Sequence, residues 1–130
     1  MNTRTGGCAC GQVRFRAEGA PHFAFLCQCR ACQHMTGSGH AVQFCHPAEA
    51  FSITGPVSRW ERTSDAGMVV TKVFCPTCGS PIYGTTTRSD AIVMVLAGAL
   101  DDPGGITPDR IFFAEDKQSW DHATVPASPE

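Results

Sequence analysis

A chain of 130 residues, 42% hydrophobic and 17% charged, has room for one domain with a real core. Its formal net charge is -2 and its ten Lys and Arg residues form no polybasic run, which argues against nucleic acid or an anionic membrane surface as partner. The longest apolar run, Ala91 to Leu100, is too short to span a bilayer.

In chain order, no apolar leader core follows Met1, and Gly6, Gly7 and Gly11 surround Cys8 and Cys10 as in a tight metal-binding turn. Gln12 to Ala17 alternates polar and apolar, the period of a half-buried strand. A short helical turn is expected over Cys29 to Met35 after the central cysteines. Further strands are expected at His40 to Phe44, Phe51 to Thr54, Val69 to Phe74, Ile92 to Ala97 and Ile111 to Ala114. Turn signals such as Gly55-Pro56 and Asp101-Asp102-Pro103-Gly104-Gly105 separate them. Thirteen glycines and nine prolines leave little room for long helices. The pattern predicts a mainly β domain over residues 1–130, with several short antiparallel sheets, few short helices and a tail that frays from about residue 123.

The eight cysteines carry the chemistry. Seven fall in three groups: Cys8-Ala9-Cys10, Cys27-Gln28-Cys29-Arg30-Ala31-Cys32, and Cys75-Pro76-Thr77-Cys78. A disulfide scaffold fits poorly, because pairs separated by one residue rarely bridge and the cysteine content lies below the about 8–10% typical of such chains. Metal-bound thiolates in a reducing cytoplasm are the expectation. Cys75 and Cys78, followed by Gly79, have the form of a zinc knuckle, and Cys8 with Cys10 would complete four sulfurs around a structural zinc. Cys27, Cys29 and Cys32 offer only three. If Cys45, His34, His40 or His46 supplies a fourth ligand, that site is structural too. If none does, the fourth position is open to water or an incoming thiol, and a charge-rich three-thiolate zinc suits a sulfur ligand.

The ordered set Gly7-Cys8-Ala9-Cys10-Gly11, Cys27 to Cys32 with Gly37-Ser38 following, and Phe74-Cys75-Pro76-Thr77-Cys78-Gly79 resembles the glutathione-dependent formaldehyde-activating enzyme family. Leu96 to Asp101 and Lys117 to Trp120 resemble that family's final third. The resemblance implies a zinc-ribbon-like, mainly β fold forming a single zinc-binding catalytic domain. It implies structural zinc on Cys8, Cys10, Cys75 and Cys78, and catalytic zinc on Cys27, Cys29 and Cys32, two ions per chain. The implied activity is a carbon–sulfur lyase acting in reverse, joining glutathione to formaldehyde as S-hydroxymethylglutathione. Gln28 and Gln33 stand where many members carry His and a basic residue. The alternative is a non-catalytic zinc module that binds a protein partner, with both metals structural.

Other residues read more plainly. Cys45 is expected to be a buried, inert thiol. His34, His40 and His46 are surface or hydrogen-bonded histidines, or one of them shuttles a proton. Arg30 is either a solvated loop residue, a counter-charge to the open cluster or a carboxylate ligand. Arg88, Arg110 and Lys117 are further candidates to meet a carboxylate. Trp60 and Trp120 are expected to pack at the core or its edge.

Overall fold

The computed structural model describes residues 2–126, so the last four positions of the expected frayed tail lie outside the described residues. Residues 123–126 have no regular secondary structure. Among the described residues ten strands form two sheets. β1 (Thr3–Gly7), β2 (Arg14–Glu18) and β5 (Phe51–Thr54) make a three-stranded antiparallel sheet in the order β1-β2-β5. The other seven are β3 (Phe23–Cys27), β4 (Ala41–Pro47), β6 (Ser58–Thr63), β7 (Val69–Phe74), β8 (Pro81–Thr86), β9 (Ser89–Leu96) and β10 (Ile111–Phe112). They run in the order β10-β3-β4-β9-β8-β7-β6, antiparallel throughout except for the parallel β10–β3 pair. One helix, α1 (Arg30–Thr36), follows the central cysteines. None of the described helices is long and apolar enough to cross a membrane.

The main core lies between the two sheets. Alternation in β2 turns Phe15 and Ala17 inward, against Phe44, Ile82, Val93 and Val95 from the larger sheet. Phe15, Phe51 and Tyr83 stack from one sheet to the other, with centroids 5.5 and 4.8 Å apart in successive pairs. Each fully buried apolar side chain of this kind contributes about 1.5–3 kcal/mol relative to an exposed one.

A second, smaller core sits on the opposite face of the large sheet. There Phe25, Cys27, Ala41 and Leu96 pack beneath Cys32 of α1. Trp60 and Trp120 depart from expectation: they are 57% and 62% exposed. Trp60 lies on β6, the edge strand of the large sheet, where one flank has no neighbouring strand to cover it. Trp120 lies in the irregular segment after β10.

Candidate metal centres

The two cysteine groups that the spacing singles out are assembled in space. Cys8 and Cys10 leave the end of β1, and Cys75 and Cys78 occupy the turn between β7 and β8, so the group joins one sheet to the other. Their four sulfurs lie within 4.8 Å of one another. Cys8 Sγ is 3.5 Å from Cys10 Sγ, which is 3.8 Å from Cys75 Sγ. A tetrahedron with metal–sulfur bonds of about 2.3 Å has sulfur–sulfur edges of about 3.8 Å, so this donor set fits a metal of zinc's size.

Local backbone bonds hold the two turns. Gly79, at φ +77°, takes a left-handed conformation that glycine adopts without strain, and its N–H closes the turn onto Cys75 O at 2.9 Å. Val13 N–H donates to Cys8 Sγ at 3.2 Å. Ser80 links the halves: its hydroxyl accepts from Ala9 N–H at 3.1 Å and lies 3.2 Å from Cys78 Sγ. Hydrogen bonds from the Ser80 hydroxyl and backbone hold the Cys78 thiol down, to about 5. Amide and hydroxyl donors around a sulfur cluster offset thiolate charge, as a bound metal requires.

The second group is Cys27, Cys29 and Cys32. Cys27 ends β3; Cys29 caps α1, its Sγ accepting from Cys32 N–H at 3.3 Å; Cys32 lies inside the helix. These three sulfurs also lie within 4.8 Å of one another, and no fourth Cys, His, Asp or Glu among the described residues joins them. Hydrogen bonds from Cys27 and Cys32 push the Cys29 thiol down, while Cys29 in turn pushes Cys27 up. Gln43, 3% exposed on β4, points its Nε2 at Cys32 Sγ over 3.6 Å.

None of the residues weighed as a fourth ligand reaches the triad. Cys45 is buried on β4, and burial pushes its thiol up. His46 is fully buried, with Nε2 2.9 Å from Glu18 O. His40 Nδ1 lies 2.9 Å from Asp121 Oδ2. His34 is exposed and faces a cavity of about 500 Å³. All eight cysteines are free thiols, so the disulfide alternative has no counterpart here.

The loop of the triad is anchored from behind by residues that spacing alone did not reveal. Gln28, 1% exposed, donates to Asp121 Oδ2 at 3.2 Å, and its own N–H bonds Phe112 O at 3.0 Å. Gln33 Nε2 bonds Gln28 O and Asp116 O at 2.9 and 3.0 Å. Gln33 Oε1 accepts from Gln118 at 3.2 Å and from Arg30. Arg30 is therefore tied to its own helix. The chain's final third thus clasps the loop through Gln28 and Gln33, which register in the sequence only as departures from a motif.

The cavity adjoins the triad, which flanks rather than lines it. His34 and Met35 of α1 form one side; Trp60 and Arg62 of β6 with Lys72 and Phe74 of β7 form the other. Met35 packs in the same cluster as Cys27 and Cys32. Arg62 is within electrostatic reach of Cys29, and Lys72 of Cys32. Arg88, Arg110 and Lys117 do not line it; Arg110 is held by Asp109 at 2.8 Å and stacks over Phe23.

Fold and sites together define a mainly β protein with two cysteine clusters able to hold metal ions, one with four donors and one with three. The model of the glutathione-dependent formaldehyde-activating enzyme family matches residues 3–116, and the chain belongs to that family. It is similar to a protein of Halomonas elongata whose name assigns it, provisionally, to the same enzymes. The two are 28% identical over 122 residues, 88% of this chain and 77% of the relative. The fold matches a crystal structure of a Rhodobacter sphaeroides protein with a TM-score of 0.64 at 18% identity, covering 82% of this chain and 98% of the other.

Proposed function

We propose that this protein is a zinc-dependent carbon–sulfur lyase working in the synthetic direction, joining glutathione or a similar small thiol to formaldehyde. The observation that carries the reading is the Cys27, Cys29 and Cys32 triad: three converging sulfurs, no fourth protein donor among the described residues, and a cavity alongside. Membership of a glutathione-dependent, formaldehyde-activating family supports the choice of substrates.

In this reading the triad would hold zinc, which would offer a substrate thiol a fourth position and lower its pKa while leaving it nucleophilic. Cys27, Cys29 and Cys32 hold that ion, while the Gln43 amide tempers the charge on Cys32. The apolar walls of Met35 and Phe74 keep water from the aldehyde carbon. His34 at the cavity wall takes the thiol's proton; as the sulfur–carbon bond forms the carbonyl π pair moves to oxygen, and His34 returns that proton to complete the hydroxymethyl group. In the reverse direction His34 takes that proton back.

Cys8, Cys10, Cys75 and Cys78 hold a structural zinc, whose filled shell leaves no place for substrate. Two ions per chain follow. A reaction that depends on reduced thiolates suits the reducing cytoplasm.

The test follows carbon-13 formaldehyde by NMR as it condenses with glutathione in the presence of the zinc-loaded protein. The exchange between free and thiol-bound aldehyde should be accelerated by the wild type and not by Cys29→Ser. A wild type carrying both metals that is no faster than buffer sinks the enzyme reading in favour of a non-catalytic zinc module.

A further inference from the structure

Side chains two apart on a strand share a face, so Trp60 and Arg62 project to the same side of β6. Trp60 pairs directly with Lys72 across β7, which in turn pairs with Gly84 of β8. A Cβ at Gly84 would lie 3.0 Å from Thr71 O and 3.5 Å from Lys72 Cδ, so the lysine stem lies over the space that the glycine leaves. Two cations are thereby set on one face, inside a mostly apolar cavity.

Arg62 Nε is buried with no hydrogen-bond partner among the described residues. Among those residues neither Arg62 nor Lys72 forms an ion pair with a carboxylate, although Arg14, Arg16 and Arg110 each do. A buried guanidinium N–H without an acceptor is destabilising, and a ligand oxygen would relieve it. Cys29 lies within electrostatic reach of Arg62 and Cys32 of Lys72, and among the described residues neither sulfur is hydrogen-bonded to either cation.

We infer that Arg62 and Lys72 are specificity-determining residues that receive the carboxylates of a peptide-like thiol, whose sulfur reaches the triad while Trp60 covers its backbone. The inference rests on the proposed thiol chemistry and adds to it the selection of an anionic, extended thiol over a small neutral one. Arginine suits the task because its planar fork meets a carboxylate with two parallel hydrogen bonds. The cavity volume of about 500 Å³ falls within the range of small-molecule sites.

The probe is S-methylglutathione, which keeps both carboxylates but has no thiol to bind a metal. Its affinity for the zinc-loaded protein is measured by calorimetry, beside its diethyl ester. Arg62→Gln and Lys72→Gln should each weaken binding at least about tenfold, and the diester should bind weakly to every form. Arg59→Gln removes the same charge from the opposite face of β6 and should change affinity less than twofold. Circular dichroism checks that each variant is folded, and either cation variant alone suffices. Equal affinity for acid and diester, no binding by the wild type, or a loss as large in Arg59→Gln as in Arg62→Gln overturns the inference. Binding that depends on Arg62 without any acceleration of adduct formation leaves the recognition standing and rejects the catalytic reading instead.

Discussion

Cys75→Ser tests whether the four-sulfur group is a metal clip between the sheets. Cys75 is fully buried within the main core, and 65 residues separate it from Cys10. Releasing a closure of that length returns about 3.7 kcal/mol of chain entropy to the unfolded state, from the three-halves RT ln n dependence. That is a large fraction of the about 5–15 kcal/mol that stabilises a typical domain. The serine hydroxyl, left in an apolar site, adds about 1–3 kcal/mol. At roughly 3–6 °C per kcal/mol for a chain of this size, the clip alone corresponds to about 11–22 °C in Tm.

The experiment is best run by calorimetry in a Cys29→Ser background, where only the four-sulfur group is left to load. Chelation there should lower Tm by the clip's share. Cys75→Ser should lower it further, and chelation of the double variant should then change little. If chelation removes the metal and Tm moves by less than about 2 °C, the clip does not hold the sheets together and the reasoning fails.

Two further perturbations address the surroundings of the sites. Gln28→Ala removes a buried donor from Asp121 and should cost about 1–3 kcal/mol by urea denaturation; it should also loosen the triad loop, seen as faster metal loss to a chelator, and an unchanged release rate would contradict the clasp. His46 is pushed down by burial, with Arg4 and His22 adding to the effect. Its unfolded form therefore binds a proton first, and stability should fall as pH drops through about 6.5 toward the lower folded value. His46→Gln should flatten that part of the pH dependence relative to wild type between about pH 7 and 5; parallel curves would refute it.

Both cysteine clusters were legible because coordination needs closely spaced sulfurs, and short spacing is a local property. Phe51–Thr54 and Val69–Phe74 were legible for the same reason, since each is bounded by turn residues and rich in β-branched or aromatic side chains. β3 was missed because Phe23-Ala24-Phe25-Leu26-Cys27 is a continuous apolar run without alternation, buried on both faces of the large sheet. β6, with Trp60 between Arg59 and Glu61, is an edge strand whose polar composition disguises it. Pro81 and Gly84 hid β8 in the same way. The clasp between Gln28 and Asp121 spans 93 residues, and the Arg62–Lys72 face exists only once β6 pairs with β7. Such contacts belong to tertiary structure, which no local pattern announces.

In the proposed reaction the Cys27, Cys29 and Cys32 triad accepts a sulfur from outside the protein. Zinc-edge X-ray absorption of the two-zinc protein, recorded with and without glutathione, measures this most directly. Four sulfurs at one site and three at the other average about 3.5 per ion. Glutathione should raise the mean to about 4 by displacing the lighter fourth ligand at the Cys27, Cys29 and Cys32 site. A mean already at 4 without thiol, or one that glutathione leaves unchanged at saturating concentration, would contradict the account.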